Sequence, residues 1–221
     1  MSTDRVGIML PLLLWTLPLL CQGVAAQWSR TPLTCTDASE CPSYITVCRN
    51  LDYETRAYAP TVWVGTQVLP TEGRYQSVQR LREYFNKKNR PVIQIERTAP
   101  TLTMYQTVND VPRPIAVFTY LPRRFLFNPP IPRDELVYLT LSPARTVFVR
   151  LASPFLFNIE RTSQELFEDL LRQAEAFAQD SFYVAEYSSP LRLFGRRNEV
   201  WYLALGIGRC DPGPGRPSSR L

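Results

Sequence analysis

The sequence predicts one α+β domain in which two helices flank a single curved β structure. Two stretches, residues 52–120 and 134–205, share the order of a strand, an amphipathic helix and further strands. Each stretch alone would expose one apolar face of its strands and one apolar stripe of its helix. We therefore expect the two units to close on each other around a shared core.

The first unit is predicted to contain a helix over residues 75–89. Val78, Leu81 and Phe85 fall on one face of this helix. Pro91 cannot continue a helix and predicts its end. Alternation of apolar residues with other residues predicts strands at 61–68, 92–96 and 115–120.

The second unit contains the clearest helical pattern in the chain. Thr162 and Glu165 have the spacing of a capping box, which predicts that the helix begins at this point. Its apolar stripe consists of Leu166, Phe167, Leu170, Leu171, Ala174, Phe177 and Ala178. The strands of this unit are predicted at 136–141, 146–151, 182–187 and 199–205.

The N-terminus has the layout of a cleavable secretory signal over residues 1–26. Arg5 precedes an uncharged run from 6 to 20, and Val24-Ala25-Ala26 precedes Gln27, where we expect the mature protein to start. The alternative is an uncleaved signal anchor, but the run is shorter than the ~20 apolar residues that span a bilayer. Since no later segment is long and apolar enough to cross a membrane, we expect a secreted, extracellular protein without a stable membrane span.

The remaining chain is divided into a cysteine-bearing arm at 27–46, one domain at 47–205 and a flexible tail at 206–221. Four cysteines follow the leader, and an even count in a secreted chain predicts two disulfides. These cysteines are Cys35, Cys41, Cys48 and Cys210. Three pairings are possible; we favour Cys35 with Cys41 and Cys48 with Cys210, which would tie the tail to the domain. A zinc site is the alternative, although paired C-x-x-C motifs are absent from the sequence.

Charge and composition restrict the chemistry of the chain. Its formal net charge is +5, and after the leader all basic residues except Lys87 and Lys88 are arginine, which favours anionic ligands. The chain contains no histidine, which excludes a Ser-His-Asp or Cys-His arrangement and imidazole metal sites. Short arginine pairs without aromatic stacking residues argue against nucleic acid. We expect a protein that is not an enzyme, with surface or turn roles for Glu54, Asp134, Glu135 and Glu199.

Six short motifs occur in a fixed order between residues 41 and 205. They are Tyr53-Glu54-Thr55-Arg56-Ala57-Tyr58, Thr98-Ala99-Pro100, Asn128-Pro129-Pro130, Thr146-Val147-Phe148-Val149, Tyr187-Ser188-Ser189-Pro190 and Arg197-Asn198-Glu199-Val200-Trp201. In order and spacing this set resembles the SOUL family of haem-binding proteins. The resemblance implies a distorted antiparallel β-barrel of two β-α-β-β modules, with a helix on each outer side.

The resemblance also implies binding of haem or a related tetrapyrrole, without an enzymatic step. Such a ligand is an apolar disc with two carboxylates, which suits an apolar groove with arginine at its rim. By the same resemblance, the ligand-binding residues are Val78, Leu81, Arg82 and Phe85 on the first helix and Arg192, Phe194 and Arg197 in the loop before the last strand. The alternatives are core packing for the apolar residues and a local ion pair between Arg197 and Glu199.

Iron ligation is not predicted. Some family members have histidine at the position of Ala57, and Met104 is the only methionine left after the leader. Haem binding would therefore depend on apolar burial, with ligation absent or weak. One alternative is a protein-interaction module that has lost pigment binding and presents arginines to an acidic protein partner. Another is a small-molecule hydrolase, which would need a buried acidic residue at the base of the groove, and the strand patterns predict none.

Overall fold

The computed structural model describes residues 35, 38–109, 111–152, 158–188 and 197–208, and it confirms the α+β class. The predicted leader at 1–26 lies outside the described residues. The helices are α1 (Arg74–Phe85) and α2 (Ile159–Arg172), and a short 3-10 turn spans Arg123–Phe125. The strands are β1 (Tyr44–Arg49), β2 (Glu54–Tyr58), β3 (Thr61–Gln67), β4 (Asn89–Arg90), β5 (Thr101–Val108), β6 (Val111–Tyr120), β7 (Ile131–Pro132), β8 (Val137–Ser142), β9 (Arg145–Leu151), β10 (Ser181–Glu186) and β11 (Asn198–Leu203).

The main sheet is antiparallel and has the strand order β1-β2-β9-β11-β10-β5-β6-β3-β8. Each repeat contributes two strands, a helix and two strands: β2, β3, α1, β5 and β6 in the first, and β8, β9, α2, β10 and β11 in the second. The counterparts in the two repeats are β2 and β8, β3 and β9, β5 and β10, and β6 and β11. When each strand is replaced by its counterpart, the order of these eight strands in the sheet is the same order read backwards. The first strand of each repeat pairs with the second strand of the other, so neither repeat forms its sheet alone.

The predicted closure of the sheet into a barrel is not confirmed. In the described part of the chain, β1 and β8 lie at the two ends of the strand order, with no hydrogen-bonded ladder between them. The residues 44–46, which we assigned to the arm, belong to β1, where Tyr44 pairs with Tyr58 of β2.

The sheet has a core on each face. Val62 and Val64 of β3 pack against Leu81 of α1, and Phe148 of β9 packs against Leu166 of α2. A third cluster occupies the opposite face. Since side chains alternate along a strand, β3 and β9 contribute to both faces, and their central residues are buried throughout.

The strand predicted at 92–96 is wrong. Val92 has a left-handed φ of 72°, and the buried side chain of Asn89 holds the segment as a loop. The Asn89 amide donates to the carbonyls of Tyr84 (2.8 Å) and Ile93 (2.9 Å) and accepts from the Ile93 N–H (3.0 Å). These side-chain contacts replace strand pairing, and the strand that follows α1 in the main sheet is β5, which we did not predict.

The helix boundaries also differ from the prediction. α1 ends at Phe85 rather than at residue 89, since Lys87 takes a left-handed φ of 70°. α2 begins at Ile159, and Asn158 caps it by accepting from the Arg161 N–H at 2.9 Å. The predicted capping box of Thr162 and Glu165 is therefore wrong, because both residues lie inside the helix. The helix also ends at Arg172, before the last residues of the predicted stripe.

The disulfide between Cys35 and Cys41 is confirmed. Cys48 is disulfide-bonded as well, but its predicted partner, Cys210, lies outside the described residues, so that pairing stays a prediction. Neither described helix is long and apolar enough to cross a bilayer.

Candidate functional site

A cleft of about 490 Å³ lies between α1 and the neighbouring ends of the sheet. One wall is formed by Val78, Leu81 and Phe85, which α1 presents at helical spacing. Ile95 and Ala99 form part of the opposite side, in the segment that precedes β5. Leu81, Ile95 and Ala99 are almost completely buried, so they give the base of the cleft an apolar floor, and threonines such as Thr98 and Thr101 complete the lining.

Two unpaired arginines lie at the rim of this cleft. Arg82 and Arg97 both line it and both are exposed. Within the described part of the chain, neither guanidinium has an ion-pair or hydrogen-bond partner. Arg74 also lines the cleft, but it is already engaged, since it forms an ion pair with Glu186 and donates to the Thr103 hydroxyl at 2.7 Å. Two positive charges are thus available to an anionic ligand.

Four of the seven predicted ligand-binding residues therefore meet at one cleft: Val78, Leu81, Arg82 and Phe85. Arg192 and Phe194 lie outside the described residues. Arg197 is exposed and is not part of the cleft wall. It contacts two residues that do line the cleft, since its N–H donates to Ser188 Oγ at 3.4 Å and its carbonyl accepts from the Tyr187 N–H.

Arg97 is a site residue that the sequence interpretation missed. It immediately precedes Thr98-Ala99-Pro100, one of the motifs that carried the resemblance, and Thr98 and Ala99 both line the cleft. A basic residue next to a motif that forms part of the wall was the available signal.

A buried cluster of charges lies behind the cleft. Arg56 donates from Nη1 to Glu199 Oε2 at 2.9 Å and Oε1 at 3.1 Å, and from Nη2 to Glu54 Oε2 at 2.9 Å. Glu199 Oε2 also accepts from the Tyr187 hydroxyl at 3.0 Å and from Trp201 Nε1 at 2.8 Å. Because Tyr187 lines the cleft, the cluster directly supports its wall.

Three expectations about these carboxylates are wrong. Glu54 and Glu199 are 8% and 1% exposed, so neither has the surface or turn role that we expected. The strand patterns were also taken to predict no buried acid near the groove, whereas Glu199 is one hydrogen bond away from it. The suggested Arg197–Glu199 pair is wrong as well, since Glu199 points inward to Arg56.

The charge state of the cluster follows from its contacts. Burial alone would raise the pKa of Glu54. The hydrogen bond from Arg56 and the charge of Arg56 together outweigh burial, so the pKa of Glu54 lies below the ordinary value of 4.5. Burial and the neighbouring charge of Glu199 raise the pKa of Tyr187 well above 10, so its hydroxyl remains protonated and continues to donate. The cluster therefore holds the cleft wall in place, and the one carboxylate among the described lining residues, Glu186, is paired with Arg74.

Comparison with known proteins identifies relatives of the chain. The family model described as SOUL heme-binding protein matches residues 39–203. Heme-binding protein 2 of Homo sapiens is 31% identical over 160 residues, which covers 68% of this chain and 77% of that protein. Heme-binding protein 2 of Mus musculus is 33% identical over 159 residues, with 68% and 77% covered. A solved hydrolase encoded by lin2189 from Listeria innocua has a TM-score of 0.47 at 12% identity and covers 69% of this chain and 90% of that one. The family match includes both the cleft and the buried charge cluster.

Proposed function

Because the chain belongs to the SOUL heme-binding protein family, we propose that it binds haem or a related tetrapyrrole in the cleft beside α1. The names of the relatives support a binding role rather than a catalytic one. The observation that carries the proposal is the combination of an apolar base with two unpaired guanidinium groups, those of Arg82 and Arg97, at the rim.

The described residues of the cleft fit the chemistry of a tetrapyrrole. Its volume lies within the ~300–1,000 Å³ of typical small-molecule sites. The apolar residues Val78, Leu81 and Phe85 would cover the ring, at roughly 25 cal/mol for each Å² removed from water, less the cost of ordering the complex. Arg82 and Arg97 would pair with the two carboxylates, and guanidinium is the side chain that does so in a two-pronged geometry.

The iron of haem has no directed ligand among the described residues of the cleft. The chain contains no histidine, and Met104 lies on β5 outside the cleft wall. The Tyr187 hydroxyl is committed to Glu199. Bound haem would supply a planar ring, an iron and two carboxylates, and this chain would hold it by the ring and the carboxylates.

The role of each ligand group is tested with haemin, protoporphyrin IX and protoporphyrin IX dimethyl ester. Haemin and the metal-free diacid should bind with dissociation constants within a few-fold of each other, because iron contributes little. The dimethyl ester should bind roughly tenfold or more weakly, since each lost ion pair at an exposed rim is worth about 0.5–1 kcal/mol. Absorbance and tyrosine or tryptophan quenching titrations measure all three.

Variants locate the site. Arg82→Ala and Arg97→Ala should each raise the dissociation constant of the diacid by about threefold to fivefold and leave that of the dimethyl ester unchanged. Arg113→Ala is the matched control, because Arg113 is exposed and does not line the cleft. Equal losses in Arg113→Ala and Arg82→Ala would contradict this site. If none of the three porphyrins binds, the alternative of an interaction module for an acidic protein partner is favoured.

We also propose that the protein is secreted. The leader pattern at 1–26 and the Cys35–Cys41 disulfide both support an oxidising, extracellular destination. When the full chain is expressed in a secreting cell, N-terminal sequencing of the protein in the medium should begin at Gln27. Retention of the chain in the cell with its leader attached would contradict this proposal.

A further inference from the structure

A second cavity of about 210 Å³ lies on the face of the sheet opposite the two helices. It shares no lining residue with the α1 cleft. All eight strands of the two repeats contribute to it, from Tyr58 on β2 to Leu203 on β11. The cavity is therefore built at the junction of the repeats and has rigid walls.

The walls are aromatic and the rim carries one charge. Trp63, Phe118, Tyr183 and Trp201 line the cavity together with aliphatic residues. Of the described residues that line it, only Arg145 is charged, and this exposed guanidinium has no ion-pair or hydrogen-bond partner in the described part of the chain.

The buried charges nearby do not oppose an anion in this cavity. Trp201, which forms part of the wall, donates its Nε1–H to Glu199 on the side of the charge cluster. That carboxylate is paired with Arg56, and Glu54, which shares Arg56, is also paired with Arg49, so two guanidinium groups balance the two carboxylates. Arg145 is consequently the charge that a ligand in the cavity would meet.

We propose that this cavity binds a small planar aromatic carboxylate. The ring would lie among Trp63, Phe118 and Trp201, where stacked or edge-on aromatic contacts are favourable, and the carboxylate would pair with Arg145 at the rim. The volume is smaller than the ~300–1,000 Å³ of drug-sized sites, so the ligand has one or two rings and is not a tetrapyrrole. This site is independent of the proposed haem cleft.

The test uses 2-naphthoate and its neutral analogue 2-naphthamide as probes of the full chain. Calorimetric titration should show that naphthoate binds about threefold to fivefold more tightly than naphthamide, as expected for one ion pair with an exposed arginine. Arg145→Gln should remove that preference and leave naphthamide binding unchanged, which also reports that the variant is folded. Arg113→Gln, another exposed arginine on the sheet, should retain the preference.

The location of the probe is read independently from the tryptophans. In protein labelled with 5-fluorotryptophan, naphthoate should shift the fluorine resonance of Trp63, assigned from Trp63→Phe. Three results would overturn the proposal: no binding of naphthoate at millimolar concentration, equal binding of the two probes by the wild-type protein, or binding that leaves the Trp63 resonance unmoved.

Discussion

Replacement of Arg56 by Met is expected to destabilise the protein by about 3–5 kcal/mol at pH 7, because it leaves Glu199 buried without a cation and leaves Glu54 only its ion pair with the exposed Arg49. Removal of one partner from a buried ion pair costs more than the pair itself contributes, since the remaining charge cannot be hydrated. Methionine conserves much of the aliphatic volume, so the loss reports the charge rather than a cavity. Urea unfolding followed by circular dichroism measures it.

The pH dependence separates this explanation from simple loss of packing. Arg56 holds the pKa of Glu54 below its ordinary value, so the stabilisation from Glu54 is present above about pH 4.5 and is lost as the pH falls further. The difference between wild type and Arg56→Met should therefore shrink below pH 4.5. Arg161→Met is the control, since the Arg161 side chain is 58% exposed and its Nε lies 3.8 Å from Glu165 Oε1. This control substitution should lower the free energy of unfolding by less than about 0.5 kcal/mol. A pH-independent loss, or a loss as small as the control, would contradict the account.

The charge cluster gives a structural reason for two of the motifs. Glu54 and Arg56 come from the motif on β2, and Glu199 and Trp201 come from the motif on β11. Both strands pair with β9, one on each side of it. The contacts of Arg56 thus cross β9 and connect β2 of the first repeat to β11 of the second. The two motifs stabilise the joint between the repeats, and they reach the cleft through Asn198, which lines it, and through the hydrogen bond from Tyr187 to Glu199.

Hydrophobic periodicity correctly predicted the helices and strands that have one apolar face and one polar face. The cleft face of α1 was predicted correctly because Val78, Leu81 and Phe85 recur at helical spacing. The loop at 92–96 was not predicted, since its apolar residues resemble a strand and the buried amide of Asn89 that organises it gives no local signal. The first turn of α2 was missed because Thr162 and Asn158 are both good caps, and tertiary packing decides between them.

The charged core was harder to predict because burial of a charge depends on its partners. Glu54, Arg56 and Tyr58 alternate along β2, which places them on one face of the sheet. That alternation was visible in the sequence, but the partner Glu199 lies more than a hundred residues away on another strand. Arg97 was missed for a related reason, since only the fold brings it to the rim opposite Arg82.

Alkaline unfolding is expected to be unusually steep and to occur about one pH unit above 10. The described residues include seven buried tyrosines, and burial raises the pKa of every one of them above the ordinary value of 10. They are Tyr53, Tyr58, Tyr84, Tyr105, Tyr120, Tyr187 and Tyr202. In the unfolded chain these phenols ionise near pH 10, whereas in the folded protein they remain neutral.

The sign and the size follow from proton linkage. A group whose pKa is raised by folding stabilises the protein fully below its unfolded pKa, and this contribution is lost as the pH rises toward the folded pKa. Each such tyrosine removes about 1.4 kcal/mol of stability for each pH unit above 10. Seven together remove at most about 10 kcal/mol in the first unit, which is comparable to the ~5–15 kcal/mol stability of a typical domain.

Ionisation of the seven buried tyrosines and unfolding should therefore coincide in one transition near pH 11. Absorbance at about 295 nm follows the phenolates, near-ultraviolet circular dichroism follows packing, and a prompt return to pH 8 checks reversibility. Tyr105→Phe combined with Tyr202→Phe removes two of the seven groups while keeping their ring contacts with Phe182 and Phe177. At pH 7 this double variant should lie within about 1 kcal/mol of the wild type, because Tyr202 gives up only a long hydrogen bond of 3.4 Å to the Ser163 carbonyl. It should unfold several tenths of a pH unit higher, because fewer groups lose a proton on unfolding. If the phenolate absorbance of these seven tyrosines also develops near pH 10 while the packing signal persists, they are accessible to solvent in the folded state and the burial argument fails.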